Sequence, residues 1–282
     1  MLLANQSAAI TGSSRGIGRA IAIRMAQEGA KVIVNGTDES RVQAVVQEIR
    51  QSGGIAVGVA ESVGTMDGGA KIISTAIQQF GRIDILVNNA GIIRDKIAHK
   101  LSEEDWDAVV DTHLKGTFTC TRAALPSMRE HKHGCIINMT STAGLHGTVG
   151  QLNYSAAKAG ILGMTWTLAL ELENYGISVN AIAPAALTDM TLPYVERARR
   201  DAASTGQSFN DDYWKLGTPE EAAELAVALS LPQSRGITGA VFSVNGGDIG
   251  LWERPQHHSL ASRKVEAWDA VEIFKQALTN IT

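Results

Sequence analysis

Cysteine is scarce here: only Cys120 and Cys135 in 282 residues. The pair has no metal-ligand spacing and builds no disulfide framework, so a disulfide-held secreted scaffold and a cysteine metal module are both excluded. Strong charge is lacking as well: the formal net charge is -4 and the sequence pI about 6.0. A general nucleic-acid binder should be basic, so no polyanion partner is expected. No apolar run approaches the roughly 18 residues of a membrane-spanning helix. The start, MLLANQSAAITGSS, has no basic segment and turns at once into strand-like sequence, unlike a signal peptide. Internal repeats, low-complexity tracts and linkers are missing, and no metal site is expected. The composition reads as a soluble protein of a reducing cytoplasm.

Hydrophobic residues make up 44% of the chain and the mean hydropathy is -0.01, enough to bury a substantial core. Runs rich in Val and Ile (SAAIT, KVIVN, IAVGVA, DILVN, CIINM, ISVNAIA) alternate with helical patterns. Helices are expected to end near Glu28, to run from about Asp38 to Gln51, and to span Asp67 to Phe80. Gly29, Gly53, Gly81, Gly134 and Gly176 each follow a helical stretch, where a left-handed residue closes a helix. Thr218-Pro219-Glu220-Glu221 starts a helix, with Thr as cap and Glu three residues on. The alternation predicts right-handed βαβ units and a parallel sheet covered on both faces. One catalytic, nucleotide-binding domain over 1–250 is expected, followed by a C-terminal extension, 251–282.

The first turn reads Thr11-Gly12-Ser13-Ser14-Arg15-Gly16-Ile17-Gly18, after a strand and at the opening of a helix. Glycines there let backbone N–H groups approach a pyrophosphate, which a helix N-terminus also attracts. The spacing is GxxxGxG rather than GxGxxG, and a tight strand-to-helix turn would need similar residues. At the end of the second strand, an acid would accept the ribose hydroxyls of NAD. Counting along KVIVNGTDES gives Gly36 and then Thr37, with Asp38 close by. The missing carboxylate, and Arg15 as a partner for a 2′-phosphate, favour NADP(H) while leaving NAD(H) open.

Tyr154 and Lys158 are four residues apart, one turn along a helix face. An ammonium beside a phenol favours the phenolate and should draw its pKa down, so that it exchanges a proton with an alcohol or ketone near neutrality. Ser141 lies upstream across a glycine-rich turn, where its hydroxyl could hold the same substrate oxygen. A Tyr and a Lys share a helix face by chance often enough that YxxxK alone means little.

Taken together, TGSSRGIG, Asn88-Asn89-Ala90-Gly91, Ser141 with Tyr154 and Lys158, and Pro184 through Thr188 resemble the short-chain dehydrogenase/reductase family over about residues 5–250. The resemblance implies α/β architecture: a single Rossmann-type doubly wound sheet of about seven strands, a nicotinamide cofactor, and usually a homotetramer. It makes Tyr154 the acid/base, Lys158 its tuner and ribose ligand, and Ser141 the holder of the substrate oxygen. It assigns cofactor contacts to Gly12, Ser14, Arg15, Gly16, Ile17 and Gly18 in the first loop. Further contacts fall on Thr37 at a 2′-phosphate, on Ser62 and Val63 after the third strand, and on Asn89, Ala90 and Gly91. Leu187 and Thr188 complete the set, together with Tyr154 and Lys158. The family often has Asn where this chain has His113, so His113 is either the support of a water near the lysine or a packed helix histidine. Pro184-Ala185 replaces a common Pro-Gly, and Glu61 or Ser62 stands where an Asp often touches adenine. Gly91 to Asp95, Ser102 to Asp107, His113 to Phe118 and Gly150 to Lys158 are also similar to the dehydrogenase domain of the peroxisomal multifunctional enzyme type 2 and its bacterial relatives. Those act on 3-hydroxyacyl-CoA or steroid substrates, and that domain prefers NAD.

The expected activity is interconversion of a secondary alcohol and a ketone, with a 3-hydroxyacyl/3-oxoacyl thioester or steroid-like substrate. The competing reading is a non-catalytic nucleotide-binding scaffold or redox sensor, and a related dehydratase or epimerase is disfavoured by the loop spacing. A small molecule and a homo-oligomer, dimer or tetramer, are the expected partners. Thr188 to Leu216 occupies the place of a substrate lid. Its Arg197, Arg199 and Arg200 are either CoA-phosphate ligands or a solvated face. His131 and His133 read as cations at a helix C-terminus, and His146 as a residue bordering the substrate. Val265, Trp268, Val271, Phe274 and Leu278 recur at helical spacing, predicting an amphipathic helix docked on its own domain or a neighbouring subunit.

Overall fold

The computed structural model describes residues 1–210 and 214–260. The chain divides into two compact units, Met1–Trp252 and Glu253–Thr282. The helix expected over 265–278 lies outside the described residues.

In chain order the first unit runs β1 (Ser7–Ile10), α1 (Gly16–Gln27), β2 (Lys31–Gly36), α2 (Glu39–Gln51), β3 (Ile55–Ala60), α3 (Met66–Phe80) and β4 (Ile85–Asn88). Then come α4 (Glu103–Val110), α5 (Gly116–His131), β5 (Gly134–Met139), α6 (Ala143–His146), α7 (Leu152–Leu172) and β6 (Ile177–Pro184). It closes with α8 (Leu192–Thr205), α9 (Pro219–Leu229), β7 (Val241–Asn245) and β8 (Asp248–Trp252). Between α4 and α5 the helix widens into one π turn, Asp111–Lys115. No helix among the described residues is long and apolar enough to cross a membrane.

The strands form one sheet in the order β3-β2-β1-β4-β5-β6-β7-β8. All neighbours are parallel except β7 and β8. The sheet has eight strands rather than about seven. Asn245 pairs with Asp248 around Gly246-Gly247, a two-residue glycine hairpin that the sequence NGGD itself signals.

Alternation divides the strand residues between two cores. Ala8, Ile10, Val32, Val34, Ile85 and Val87 pack with residues of α1, α2 and α9. Ala9, Ile33, Leu86 and Ile136, one step out of phase, pack with α3, α5 and α7. Successive side chains of a strand point to opposite faces, so a Val/Ile run buried on both sides serves two layers at once.

Helix ends follow their residues. Asp38 caps α2 through the Arg41 N–H, Thr65 caps α3, Ser102 caps α4, and Thr218 with Glu221 forms a capping box on α9. Of the five glycines expected to be left-handed, Gly29, Gly53, Gly81 and Gly176 are. Gly134 is not: Lys132 takes the left-handed position at φ 48 and ends α5, which frees Gly134 to begin β5. There, a Cβ would lie 2.7 Å from the Met128 sulfur.

Candidate active site

Strand order reverses at β1 between β2 and β4, and a crevice opens at the carboxyl ends of these strands, as doubly wound sheets require. A larger hollow of about 880 Å3, lined by residues of α3 and α5 with Tyr175, lies away from them. The crevice is the candidate site because it gathers the polar groups.

Its floor is the β1–α1 loop. Gly12 and Gly16 have φ of 61 and 54, a left-handed backbone that glycine adopts without strain. A Cβ on Gly12 would stand 2.7 Å from the Ala90 Cα, and one on Gly18 only 2.5 Å from the Gly12 carbonyl oxygen. The loop after β4 is locked to it: the Asn89 side chain donates to the Thr11 and Gly12 carbonyls, and Thr11 Oγ1 accepts from the Asn89 and Ala90 N–H groups. Asn35, buried in β2, accepts from the Gly12 N–H and donates to the Val59 and Glu61 carbonyls. Asn35 thereby ties the loop to β3, and its signal in the sequence is an amide that closes the apolar run KVIV.

Unlike α2, α3, α4 and α9, helix α1 has no side-chain cap and no acid in its first turn. Its amino end lines the crevice with Ser14, Arg15, Gly16, Ile17 and Gly18. Unsatisfied helix N–H groups facing a cleft fit the pyrophosphate of a dinucleotide. Gly36 and Thr37 also line it, and a Cβ on Gly36 would meet Ser14 Oγ at 2.7 Å. Asp38, by contrast, is engaged at the α2 cap by Ser40 Oγ and the Arg41 N–H, bonds that hold its carboxyl below the usual range. Ser62, Val63, Asn89, Ala90, Gly91 and Thr188 line the crevice, together with Glu61, Pro184, Asp189 and Met190. Leu187 does not: it is about half exposed, and its N–H donates to the Gly217 carbonyl.

At the far end Tyr154, Lys158 and His113 come together. Asn153, fully buried, donates to the Arg94 and Asp105 carbonyls and accepts from the Tyr154 N–H, so it fixes where the tyrosine emerges. Ser141 stands close enough to the Tyr154 side chain to favour its charged form and accepts from the Ala143 N–H at 3.2 Å, although it does not itself line the crevice. Lys158 Nζ donates to the Met139 carbonyl at 2.6 Å and stands 5.5 Å from the Tyr154 ring centre.

The electrostatics correct the expectation of a lowered tyrosine pKa. Burial raises Tyr154, the neighbouring Ser141 hydroxyl lowers it, and the charge of Asp95 raises it again, leaving it above the ordinary phenol. Burial also pushes Lys158 down, to about 7. Both groups are therefore driven toward their neutral forms, because desolvation opposes the charge that their proximity would favour.

His113 is 2% exposed and sits edge-on to the Tyr154 ring, with centroids 5.1 Å apart. The π turn sets it there, and such turns recur at functional sites. Its Nε2 lies 3.0 Å from the Ile92 nitrogen and 2.8 Å from the Ile92 carbonyl oxygen. Burial, then the charge of Lys158, push the imidazole down to about 3, so it is neutral. Nδ1 is buried with no partner among the described residues.

Other expected residues stand elsewhere. His146 packs on Trp252 with centroids 5.1 Å apart. Arg197 pairs with Asp201, and Arg199 lies over the Phe209 ring. His131 bonds the Ser127 carbonyl in the last turn of α5, and His133 faces Asp84.

Residues 6–198 match the short chain dehydrogenase family. A 3-oxoacyl-(acyl-carrier-protein) reductase of Synechocystis sp. is 43% identical over 258 residues, 88% of this chain and 98% of that one. The reductase of the same name from Thermotoga maritima is 39% identical over 248 residues, 88% and 99% of the two chains. A crystal structure of a short chain dehydrogenase from Mycobacterium avium is similar at a TM-score of 0.85 and 38% identity, covering 99% of this chain and 96% of that one. The Synechocystis and Thermotoga relatives carry the carrier-protein reductase name, a branch related to but distinct from the multifunctional-enzyme domain that the subgroup motifs suggested.

Proposed function

Because the chain belongs to the short-chain dehydrogenase family and is an oxidoreductase of CH–OH and keto groups with NAD(P), we propose that it reduces a 3-oxoacyl thioester to the 3-hydroxyacyl thioester with NADPH. The observation that carries this reading is the meeting of Tyr154, Lys158 and His113 at one end of the glycine-floored crevice, with Lys158 Nζ 5.5 Å from the Tyr154 ring centre and the imidazole edge-on to that ring. NADP(H) is favoured over NAD(H) by Gly36, Thr37 and Arg15 on the crevice wall, with the nearby Asp38 carboxylate committed to its helix cap. A nicotinamide bound there would supply the hydride to the carbonyl carbon.

The protein's residues do the rest. The α1 amino end and the glycine loop would hold a pyrophosphate, and Thr188 would meet the amide of the nicotinamide. Ser141 donates a hydrogen bond where negative charge develops on the substrate oxygen. Tyr154, neutral through burial, gives that oxygen its proton, and Lys158 then stabilises the phenolate left behind. His113 keeps a neutral nitrogen beside this pair, where Nδ1 can hold a water that returns the proton. We read the protein as cytoplasmic and as part of a homo-oligomer.

Tyr154→Phe tests it. With acetoacetyl thioesters and NADPH, turnover should fall at least about a thousandfold, while fluorescence titration shows NADPH still bound. Substantial residual turnover would sink the assignment.

A further inference from the structure

Next to Tyr154 lies a carboxylate that the roles above leave unused. Asp95 closes the loop after β4, and its backbone neighbour Lys96 pairs with Gln151 in a short parallel bridge. Asp95 Oδ2 accepts two hydrogen bonds, from Tyr194 Oη at 2.5 Å and from Gln151 Nε2 at 2.7 Å. Tyr194 stands in the first turn of α8, which follows directly on the crevice-lining residues Thr188, Asp189 and Met190. The other oxygen, Oδ1, is buried and has no partner among the described residues.

This charge is poorly neutralised. Of its two neighbours in sequence, Arg94 makes no ion pair with it and Lys96 is spent on Asp105 at 2.6 Å. Lys158 donates instead to the Met139 carbonyl. The field of Asp95 reaches both phenols that flank it, Tyr154 on α7 and Tyr194 on α8. The reacting carbonyl must sit against the Tyr154 hydroxyl, so any anionic group attached beside it enters that same field.

We propose that Asp95 is a specificity-determining residue: strapped in place by Tyr194 and Gln151, its carboxylate admits carbonyl compounds that are uncharged beside the reacting carbon and rejects the free oxo-acid anions. This rests on the reductase reading and sharpens it. A 3-oxoacyl thioester and acetoacetate present the same ketone, but only the latter brings a carboxylate. Like charges brought together in a partly dry site discriminate by repulsion, a form of selection against the wrong partner.

Two variants separate charge from strap. In Asp95→Asn the amide oxygen still accepts from Tyr194 and Gln151, while the charge is gone. In Tyr194→Phe the charge stays and one strand of the strap is cut. The probes are acetoacetyl-N-acetylcysteamine, which is neutral, and acetoacetate, each with NADPH. The ratio of kcat/KM for the thioester over the acid is expected to fall about tenfold in Asp95→Asn, mainly because acetoacetate improves. Tyr194→Phe should leave that ratio within about twofold and change KM for both probes in parallel. An unchanged ratio in Asp95→Asn, or an equal change in both variants, overturns the proposal. Binding of both probes to the protein–NADPH complex, read by nucleotide fluorescence, decides the point separately. If the wild-type protein reduces neither probe, the reductase reading fails. Asp95 is still supported if the asparagine variant binds acetoacetate more tightly, and refuted if it does not.

Discussion

Replacing Lys158 with methionine is expected to abolish turnover and yet to gain stability on the wild type as pH falls. Lys158 is 4% exposed, and burial holds it at about 7 against an ordinary 10.5. Above 10.5 the amine is neutral in both folded and unfolded chains. Between the two values the unfolded chain binds the proton and the native site resists it, so native stability drops as pH falls, and below about 7 the curve flattens. Each full unit of that interval is worth about 1.4 kcal/mol. From pH 9 to pH 6 the wild type therefore loses roughly 2–3 kcal/mol through this one group. Methionine matches the length of the stem without titrating. It forfeits the bond to the Met139 carbonyl, but this loss is the same at every pH. The gap between variant and wild type should thus move in the variant's favour by roughly 2–3 kcal/mol, or about 5–10 °C in Tm for a chain of this size. Urea unfolding at pH 6, 7, 8 and 9 at constant ionic strength measures it. Parallel stability curves would refute the claim that the amine is buried against its charge.

Two further outcomes test the cofactor half of the site. Thr37→Asp puts a carboxylate on the crevice wall where Thr37 now stands; steady-state kinetics should show the NADPH-to-NADH preference falling at least about tenfold, by repulsion of a 2′-phosphate and capture of a 2′-hydroxyl. Asn35→Ala leaves the Gly12 N–H and the Val59 and Glu61 carbonyls short of a partner; unfolding should show a loss of about 2–4 kcal/mol, and calorimetric titration a weaker NADPH affinity.

The fold was legible because its signals are local and repeated. Val/Ile runs such as KVIVN and CIINM, punctuated by Gly29, Gly53 and Gly81, state a two-faced sheet without reference to anything distant. Gly134 misled because the left-handed position at the end of α5 fell to Lys132, a residue that does not announce it. The eighth strand was written in Asn245-Gly246-Gly247-Asp248 and passed over. In the site, residue types and spacing brought out Ser141, Tyr154 and Lys158, whereas the sign of the tyrosine's pKa shift did not follow. That sign depends on how deeply α7 is buried and on Asp95, 59 positions upstream of Tyr154. Asn35 and Asn153 look neutral in a chain of letters. They matter because backbone groups from two other segments of the chain converge on each.

One bulged coil between two helices, Asp111–Lys115, makes chain length itself the constrained quantity in that stretch. An α-helix advances about 100° per residue, and the wide turn absorbs one residue beyond the regular winding. Excising one of the five would let Glu103 to His131 wind as a single regular rod, with α4 and α5 keeping their phase. The Cys120, Ala124 and Met128 stripe would stay on the sheet, while the imidazole would lose the turn that sets it against Ile92. Substitutions in this stretch exchange one side chain for another, whereas a single deletion removes the turn itself and spares the helices on either side.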